Sequence, residues 1–191
     1  TILACPGSGK TRVLSMRAAR LLRENKTGRL CAVSFTREGA AELKTRILEL
    51  CGEREAKRLA VGTFHSIGRS QLVKLHQFAK IKLLSEGERK GLLRRCYGQY
   101  KCEVPFEKVL SEIDRAKSKL GHVIFSNTAV EDVFNTYQEL LATEHGMDFS
   151  DIMLETVTGM RNGSIKPLGV RWLLADEFQD ADEAQKSWIV E

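Results

Sequence analysis

Two stretches near opposite ends of this chain carry residue types that could together bind phosphate groups and support phosphoryl transfer. The first, "ACPGSGKT" (Ala4–Thr11), fits the pattern G-x-x-x-x-G-K-[ST] except that Ala4 replaces the first glycine. The second, "LLADEFQDADEAQ" (Leu173–Gln185), places five carboxylates directly after a short apolar run. The first type of stretch holds phosphate groups, and the second can hold a metal ion or activate water.

The glycine-rich stretch is typical of a phosphate-binding loop. Its glycines let the backbone N–H groups point at phosphate oxygens, and the helix that follows adds its positive dipole end. Lys10 would be a point charge for the β- and γ-phosphates, and the Thr11 hydroxyl a ligand of Mg²⁺. A glycine turn that only caps a helix is the alternative. We predict a nucleotide site formed by Ala4, Cys5, Pro6, Gly7, Ser8, Gly9, Lys10, Thr11 and Arg12.

The acidic stretch follows an apolar run that is typical of a buried strand. Asp176 at the end of this run could hold Mg²⁺, and Glu177 could orient and deprotonate the attacking water. Gln179 suits the sensing of a γ-phosphate or a water molecule. Favourable charge at a helix N-terminus is the alternative for the whole cluster, and it is preferred for the three later acids. The predicted catalytic set is Lys10, Asp176, Glu177 and Gln179, with Thr11 and Asp176 as metal ligands.

Hydrophobic patterns along the chain indicate the elements that must position these residues. Apolar runs predict strands, and apolar spacings of three and four predict helices between them. The predicted strands are 2–5, 30–36, 58–64 and 170–177, and the first helices are 10–24, 40–50 and 67–78. This alternation predicts an α/β fold with a parallel sheet covered on both faces.

A block of helical patterns interrupts the strands. From about residue 81 to residue 160 only helices are predicted, at 86–99, 106–120, 128–144 and 149–160. Because strands of one sheet lie on both sides of it, this block is an insertion and the α/β domain is discontinuous in sequence. The predicted boundaries are 1–79 and 161–191 for the two parts of the α/β domain and 80–160 for the helical subdomain.

Composition excludes some classes of protein and favours a polyanionic partner. The 191 residues contain no apolar run of membrane-spanning length and no signal peptide pattern, so no membrane partner is expected. Five cysteines without a C-x-x-C pair indicate reduced thiols and a cytoplasmic location. Residues 1–46 hold ten Lys/Arg against three Glu, which suits nucleotide or nucleic acid, although solvated helix faces would also explain it.

Four motifs in fixed order resemble those of the UvrD/Rep-like superfamily 1 DNA helicases. They correspond to that family's Walker A, Ia, Ib/Ic and Walker B motifs, and read "ACPGSGKT", "AVSFTREGAAELKTRI", "GTFHS" and "ADEFQD". The stretch "YQELLATEHGMDFSDIM" is similar to the family's Y-Q-x-x-L…D-F-x-D-L pattern near the end of an inserted subdomain. The resemblance covers essentially the whole chain. Ala175, Ala181 and the "REG" of Arg37–Gly39 depart from the pattern without removing a reactive group.

The resemblance implies a RecA-like P-loop NTPase domain with an inserted all-helical subdomain. It implies Mg²⁺-dependent ATP hydrolysis coupled to 3′–5′ movement on single-stranded DNA and at junctions of single- and double-stranded DNA. By the same resemblance, DNA contacts would come from Phe35, Thr36, Arg37, Thr63 and His65. For Phe35, packing in the core is an equally open interpretation, and for His65 a structural role is the alternative.

The resemblance also implies partners outside this sequence. An adenine-reading glutamine motif would precede Thr1, and a second RecA-like domain with the arginines that complete the ATP site would follow Glu191. Such arginines contribute factors of about 10³–10⁵ to phosphoryl transfer, so the chain alone is expected to hydrolyse ATP poorly. The motor part of a helicase–nuclease, and a helicase-like DNA-binding scaffold or defence subunit, are open alternatives. A phosphate-loop kinase would have no use for "GTFHS" or "DEFQD".

Overall fold

The computed structural model describes residues 9–75, 80–121 and 123–191. The predicted first strand and residues Ala4–Ser8 of the predicted phosphate loop lie outside this part. The described residues form two compact units. Unit 1 comprises those up to Ile67 together with Lys166–Ala181, and unit 2 comprises Gly68–Ile165 together with Asp182–Glu191.

The helices and strands are numbered here in chain order. The α-helices are α1 (Lys10–Glu24), α2 (Arg37–Cys51), α3 (Phe64–Leu72), α4 (Glu86–Tyr97), α5 (Phe106–Ser118), α6 (Thr128–Thr143), α7 (Asp151–Arg161) and α8 (Glu183–Val190). The strands are β1 (Leu30–Ser34), β2 (Leu59–Thr63), β3 (Lys82–Leu83), β4 (Gly146–Met147) and β5 (Trp172–Ala175). Short 3₁₀ helices span Glu53–Arg58 and Phe178–Asp180. None of the helices in these described ranges is both long and apolar enough to cross a membrane.

Unit 1 is built on a parallel sheet with the strand order β2-β1-β5. The central strand β1 pairs with both neighbours, so that Leu30 lies opposite Leu59 on one side and Trp172 on the other. All five residues of β1 are buried, which explains why its sequence is apolar without alternation. Helices α1 and α2 pack onto this sheet through Leu22 and Leu43. The predicted α/β class, with a parallel sheet flanked by helices, is confirmed.

One arginine fixes the turn between α1 and β1. The Arg58 guanidinium donates hydrogen bonds to the carbonyl oxygens of Leu22 at 2.7 Å, Asn25 at 2.8 Å and Gly28 at 3.3 Å. Carbonyls at the end of a helix have no partner within the helix, so a side-chain donor satisfies them. Arg58 therefore joins the end of α1 to the segment that leads into the central strand.

Unit 2 is mainly helical, and its core is formed by α4, α5 and α6. Leu93, Val109, Ile113 and Tyr137 are completely buried in this core. Ser85 and Glu88 form a capping box at the start of α4, in which each side chain binds the backbone N–H of the other residue. The expectation of helices only between residues 81 and 160 was wrong. Strands β3 and β4 pair in parallel, and two-residue strands are too short to produce a periodic pattern.

A buried ionic cluster joins four helices and β4 within unit 2. The Lys117 ammonium is fully buried and lies 2.6 Å from Asp148 Oδ2 and 2.7 Å from Asp151 Oδ1. Tyr137 donates its hydroxyl to Asp148 at 2.8 Å, and Arg89 Nε lies 3.3 Å from the same carboxylate. Burial opposes ionisation of Asp148, but the charge of Lys117 and the hydrogen bonds that the carboxylate of Asp148 accepts hold the pKa of Asp148 below the usual value.

Replacing Lys117 with Met should destabilise unit 2 strongly. The change keeps the length of the side chain but leaves two buried carboxylates without their shared cation, which costs about 3–5 kcal/mol. Urea unfolding at neutral pH would measure the difference in the free energy of unfolding. The control is Lys119→Met at an exposed position two residues away, for which a change within about 0.5 kcal/mol is expected. A loss for Lys117→Met no larger than that of the control would contradict the assigned role of the cluster.

Candidate functional site

The start of α1 and the end of β5 meet at the carboxyl edge of the sheet in unit 1. The backbone N–H of Asp176 continues the ladder by donating to the Val33 carbonyl at 2.9 Å. The Thr11 hydroxyl then donates to Asp176 Oδ2 at 3.0 Å, across 165 residues of sequence. Asp176 is only 8% exposed, so this polar contact is held in a largely desolvated position.

The neighbouring pair, Lys10 and Glu177, lies beside this contact. Lys10 Nζ is 3.6 Å from Glu177 Oε1, and the Gln179 amide donates to Glu177 Oε2. The hydrogen bond from Gln179 and the positive charge of Lys10 hold the pKa of the Glu177 carboxyl below its usual value. The carboxylate is therefore ionised at neutral pH, as a group that accepts a proton from water must be. The structure thus brings together all four residues of the predicted catalytic set.

Two backbone conformations at this site are of the left-handed type. Gly9, which caps α1, has φ 87° and ψ 22°, a conformation that glycine adopts without steric cost. Glu177 has φ 49° and ψ 39°, which places a side chain with a Cβ in the same region. Its carbonyl also accepts the N–H of Asp180 at 3.0 Å in the 3₁₀ turn that follows. Strained backbone conformations cluster at functional sites, so the conformation of Glu177 agrees with a chemical role for this residue.

The oxygen donors at this site suit a magnesium ion held together with phosphates. The described residues contain no group of three or more His, Cys, Asp or Glu side chains that could enclose a metal. Mg²⁺ is commonly bound by only one or two carboxylates, with waters and substrate phosphates completing its octahedron. The Thr11 hydroxyl and the Asp176 carboxylate, 3.0 Å apart, are a donor pair of that kind.

The remaining predicted nucleotide contacts are less defined. Ala4, Cys5, Pro6, Gly7 and Ser8 lie outside the described residues. Arg12 is exposed on the first turn of α1, and within the described part of the chain its side chain makes no hydrogen bond or ion pair. Ser15, which the sequence did not indicate, is buried and donates its hydroxyl to the Thr11 carbonyl at 2.8 Å. It braces the turn of α1 that carries Thr11.

The residues expected to touch DNA lie at the carboxyl ends of β1 and β2. Ser34 and Thr63 are partners in the ladder, so the residues that follow them leave the sheet side by side. Thr36 Oγ1 accepts the N–H of Gly39 at 2.9 Å and caps α2. Thr63 Oγ1 accepts the N–H of Ser66 at 3.2 Å. Each hydroxyl thereby keeps its own hydrogen for donation.

The aromatic and basic members of this set differ in exposure. Arg37 is exposed, whereas Phe35 and His65 are half-buried. The ring of Phe35 contacts that of Phe64, with the centroids 5.5 Å apart. Part of the Phe35 side chain is therefore packed against the protein, as the core interpretation requires. The remainder is exposed, as contact with a DNA base would require. Phe64 was not singled out from the sequence.

The later acids of the cluster behave as the start of a helix. Asp182 is the N-cap of α8, and its Oδ1 accepts the N–H of Gln185 at 2.8 Å. Glu183 occupies the first turn of that helix, where a negative charge is favourable. Asp180 ends the 3₁₀ turn before it. The prediction that the later acids begin a helix is confirmed for Asp182 and Glu183 and not for Asp180.

The parallel sheet and the residues at its carboxyl edge define the class of protein. A Lys-Thr helix start lies beside an Asp-Glu pair that follows β5, a strand expected to be buried but half-buried at all four positions, and this is the arrangement of nucleotide-phosphate-binding α/β domains. Residues 1–191 match the family described as UvrD/REP helicase N-terminal domain. The chain belongs to this family.

Individual relatives agree with this assignment. The chain is 29% identical over 204 residues to the ATP-dependent DNA helicase Rep of Escherichia coli, covering 96% of this chain and 30% of that protein. It is 28% identical over 220 residues to the ATP-dependent DNA helicase srs2 of Schizosaccharomyces pombe, covering 96% and 25%. It is 30% identical over 209 residues to the ATP-dependent DNA helicase UvrD1 of Mycobacterium tuberculosis, covering 96% of this chain and 27% of that protein. The chain thus spans between a quarter and a third of the length of these relatives.

The left-handed conformation of Glu177 should be measurable as backbone strain. We expect Glu177→Gly to be more stable than Glu177→Ala by about 1 kcal/mol, because glycine adopts positive φ without the Cβ clash. Both variants lose the same contacts to Lys10 and Gln179, so their difference isolates the backbone. Urea unfolding of the two variants measures it. An alanine variant as stable as the glycine variant would show that position 177 is not strained.

Proposed function

We propose that this chain is the ATP-binding part of an ATP-dependent DNA helicase or translocase that couples Mg²⁺-ATP hydrolysis to movement on single-stranded DNA. The observation that carries the proposal is the pairing of Thr11 with Asp176 and of Lys10 with Glu177 at one edge of the sheet. Residues from the two ends of the sequence meet there in the arrangement that phosphoryl transfer requires.

The proposed roles follow from the chemistry of each group. Lys10 binds the β- and γ-phosphates in place of its contact with Glu177, and Thr11 and Asp176 hold Mg²⁺. The ion, when bound, neutralises charge that develops on the phosphate oxygens. Glu177, ionised and fixed by Gln179, takes the proton of the attacking water. Gln179, whose amide is next to the Glu177 carboxylate, senses the γ-phosphate or the attacking water.

DNA binding is proposed for the carboxyl ends of β1 and β2. Thr36 and Thr63 donate their hydroxyl hydrogens to phosphates, Arg37 and His65 add donors, and Phe35 packs on a base. Contacts of this kind read the backbone and the base faces, so they tolerate any sequence. Movement in the 3′–5′ direction, action at single-strand/double-strand junctions and a cytoplasmic location complete the proposal.

The proposed domain organisation is a RecA-like domain at 1–79 and 161–191 with a helical insertion at 80–160. Since the relatives are three to four times longer than their match to this chain, we propose that full turnover needs a second RecA-like domain of the same protein. That domain supplies the arginines that stabilise the transferring phosphate. The 191 residues by themselves then bind nucleotide and DNA weakly and hydrolyse ATP slowly.

Lys10→Ala should weaken binding of Mg²⁺-ATP to the chain by at least about tenfold, because the triphosphate loses a direct charge contact. Titration with a fluorescent ATP analogue, with and without Mg²⁺, measures this. The matched control is Lys26→Ala, since Lys26 is an exposed residue that precedes β1 and so belongs to the opposite, amino edge of the sheet. An equal loss in both variants, or no loss in either, would refute the assignment of Lys10.

Glu177→Gln should separate hydrolysis from binding. In the longer protein that contains this chain, DNA-stimulated ATP hydrolysis should fall by about 10²–10⁴-fold, because the amide cannot accept the proton of water. The affinity for Mg²⁺-ATP should not fall by more than about threefold, since Glu177 has no proposed phosphate contact and its neutralisation removes a competitor for Lys10. Steady-state rates and nucleotide titrations measure the two effects. A rate that DNA does not stimulate even in the unmodified protein would favour a different phosphate-loop enzyme.

A further inference from the structure

Two phenylalanines occupy equivalent places at the ends of adjacent strands. Phe35 follows Ser34, the last residue of β1, and Phe64 follows Thr63, the last residue of β2. Because Ser34 and Thr63 are register partners, the two aromatic residues emerge from the sheet together. Their ring centroids are 5.5 Å apart and their planes are inclined by 59°, within the range of favourable aromatic pairs.

The two rings differ in their access to solvent. Phe64 is 1% exposed, so no ligand can reach it, while Phe35 retains part of its surface. A free phenylalanine side chain samples several rotamers, and ordering it for a ligand costs conformational entropy. Contact with a ring that is itself immobilised by burial removes most of that freedom before a ligand arrives. The partner of Phe35 is therefore a determinant of where its exposed surface lies.

We propose that Phe64 is a positioning residue for single-stranded DNA, which holds the ring of Phe35 in the orientation that accepts a nucleic-acid base. This inference rests on the proposed DNA-binding function and adds to it a residue that has no contact with DNA. Phe64 acts on DNA through Phe35, and the ligand it serves is a base with an accessible face, of any identity.

The surrounding groups fit a stacked base. Thr36, one residue beyond Phe35, and Thr63, one residue before Phe64, both use their oxygens to accept helix N–H groups. These caps fix the oxygens of two hydroxyls at the ends of the same two strands that carry the aromatic pair. Each hydroxyl keeps a hydrogen that can be donated to a phosphate of the strand whose base stacks on Phe35.

A purely structural role for Phe64 makes a different prediction. If Phe64 only fills the core, its replacement weakens binding of any DNA in proportion to the loss of folded protein. If it positions Phe35, the loss depends on the presence of a base and on the presence of Phe35. The identity of the DNA ligand and a double-mutant cycle therefore distinguish the two roles.

The experiment uses the chain itself and two probes, an oligodeoxythymidylate and a matched oligonucleotide with abasic sites. Phe64→Leu should bind the thymidylate about five- to tenfold more weakly, part of the effect of losing one stacked base. On the abasic probe it should bind as the unmodified chain does. In a Phe35→Leu background, Phe64→Leu should have no further effect. With a 2-aminopurine probe, stacking should quench fluorescence in the unmodified chain and not in Phe64→Leu.

Two additional variants control for folding. Phe64→Met keeps the buried volume without a flat ring, and should show the same base-dependent loss if Phe64→Leu fails to fold. Phe134→Leu breaks a similar aromatic pair in unit 2, where Phe125 and Phe134 have centroids 5.2 Å apart. It should leave binding of both probes unchanged.

Each contrary result has a definite meaning. Equal losses on both probes, or additive losses in the double variant, overturn the positioning role and leave the proposed function intact. Unchanged binding of the thymidylate by Phe64→Leu and Phe64→Met also overturns the positioning role and leaves the proposed function intact. Failure of the unmodified chain to bind either probe, even at the high concentrations that its proposed weak binding requires, overturns the proposed DNA-binding function and this inference with it.

Discussion

The site in unit 1 depends on one constraint of parallel sheets, that all strands end at the same edge. Asp176 reaches this edge because β5 runs beside the central strand, and its N–H is held by Val33. The hydrogen bond from Thr11 to Asp176 then joins the start of α1 to the end of β5. Neither residue could act on a phosphate alone, and nothing in their sequence positions brings them together. The register of the sheet does so.

The same edge of the sheet explains why the proposed DNA-binding residues and the proposed metal ligand lie together in unit 1. Phe35 and Thr36 follow β1, and Asp176 follows β5, so the proposed DNA residues and the proposed metal ligand are attached to neighbouring strands. The Val33 carbonyl that holds Asp176 is two residues from Phe35. A displacement of the end of β1 would therefore reach both groups through the backbone, without any side-chain relay. This proximity provides a short physical route by which occupancy of one site could bias the other.

Much of this arrangement could be predicted from the sequence, and the reasons are local. The helix at residues 10–24 and the buried run of β1 follow from the hydrophobic period and were found where predicted. The acids at 182 and 183 could be separated from Asp176 and Glu177 because a helix start has its own chemistry. The proximity of Lys10 and Thr11 to Asp176 and Glu177 could be predicted because a phosphate loop and the acidic end of a strand lie at the same edge of a parallel sheet.

The features that escaped prediction are long-range ones. Strands β3 and β4 are two residues each and are separated by residues 84–145, so no local pattern indicates that they pair. Lys117 reads as a surface charge on a helix, and only the fold shows it buried between Asp148 and Asp151. The contact of Phe64 with Phe35 depends on the register between β1 and β2, and β1, buried at every position, has no alternation of residue types that would specify that register.

The ion pair between Lys10 and Glu177 has a consequence for the proposed reaction. Lys10, proposed to bind phosphates, and Glu177, proposed to accept a proton, have opposite charges and lie 3.6 Å apart. Glu177 is partly exposed in this pair, so the contact contributes little to stability and is readily exchanged. Binding of a triphosphate would draw Lys10 toward a larger negative charge, while the hydrogen bond from Gln179 would still orient Glu177. One ammonium group cannot hold the triphosphate and the carboxylate closely at the same time, so the proposed roles of Lys10 and Glu177 require this ion pair to open.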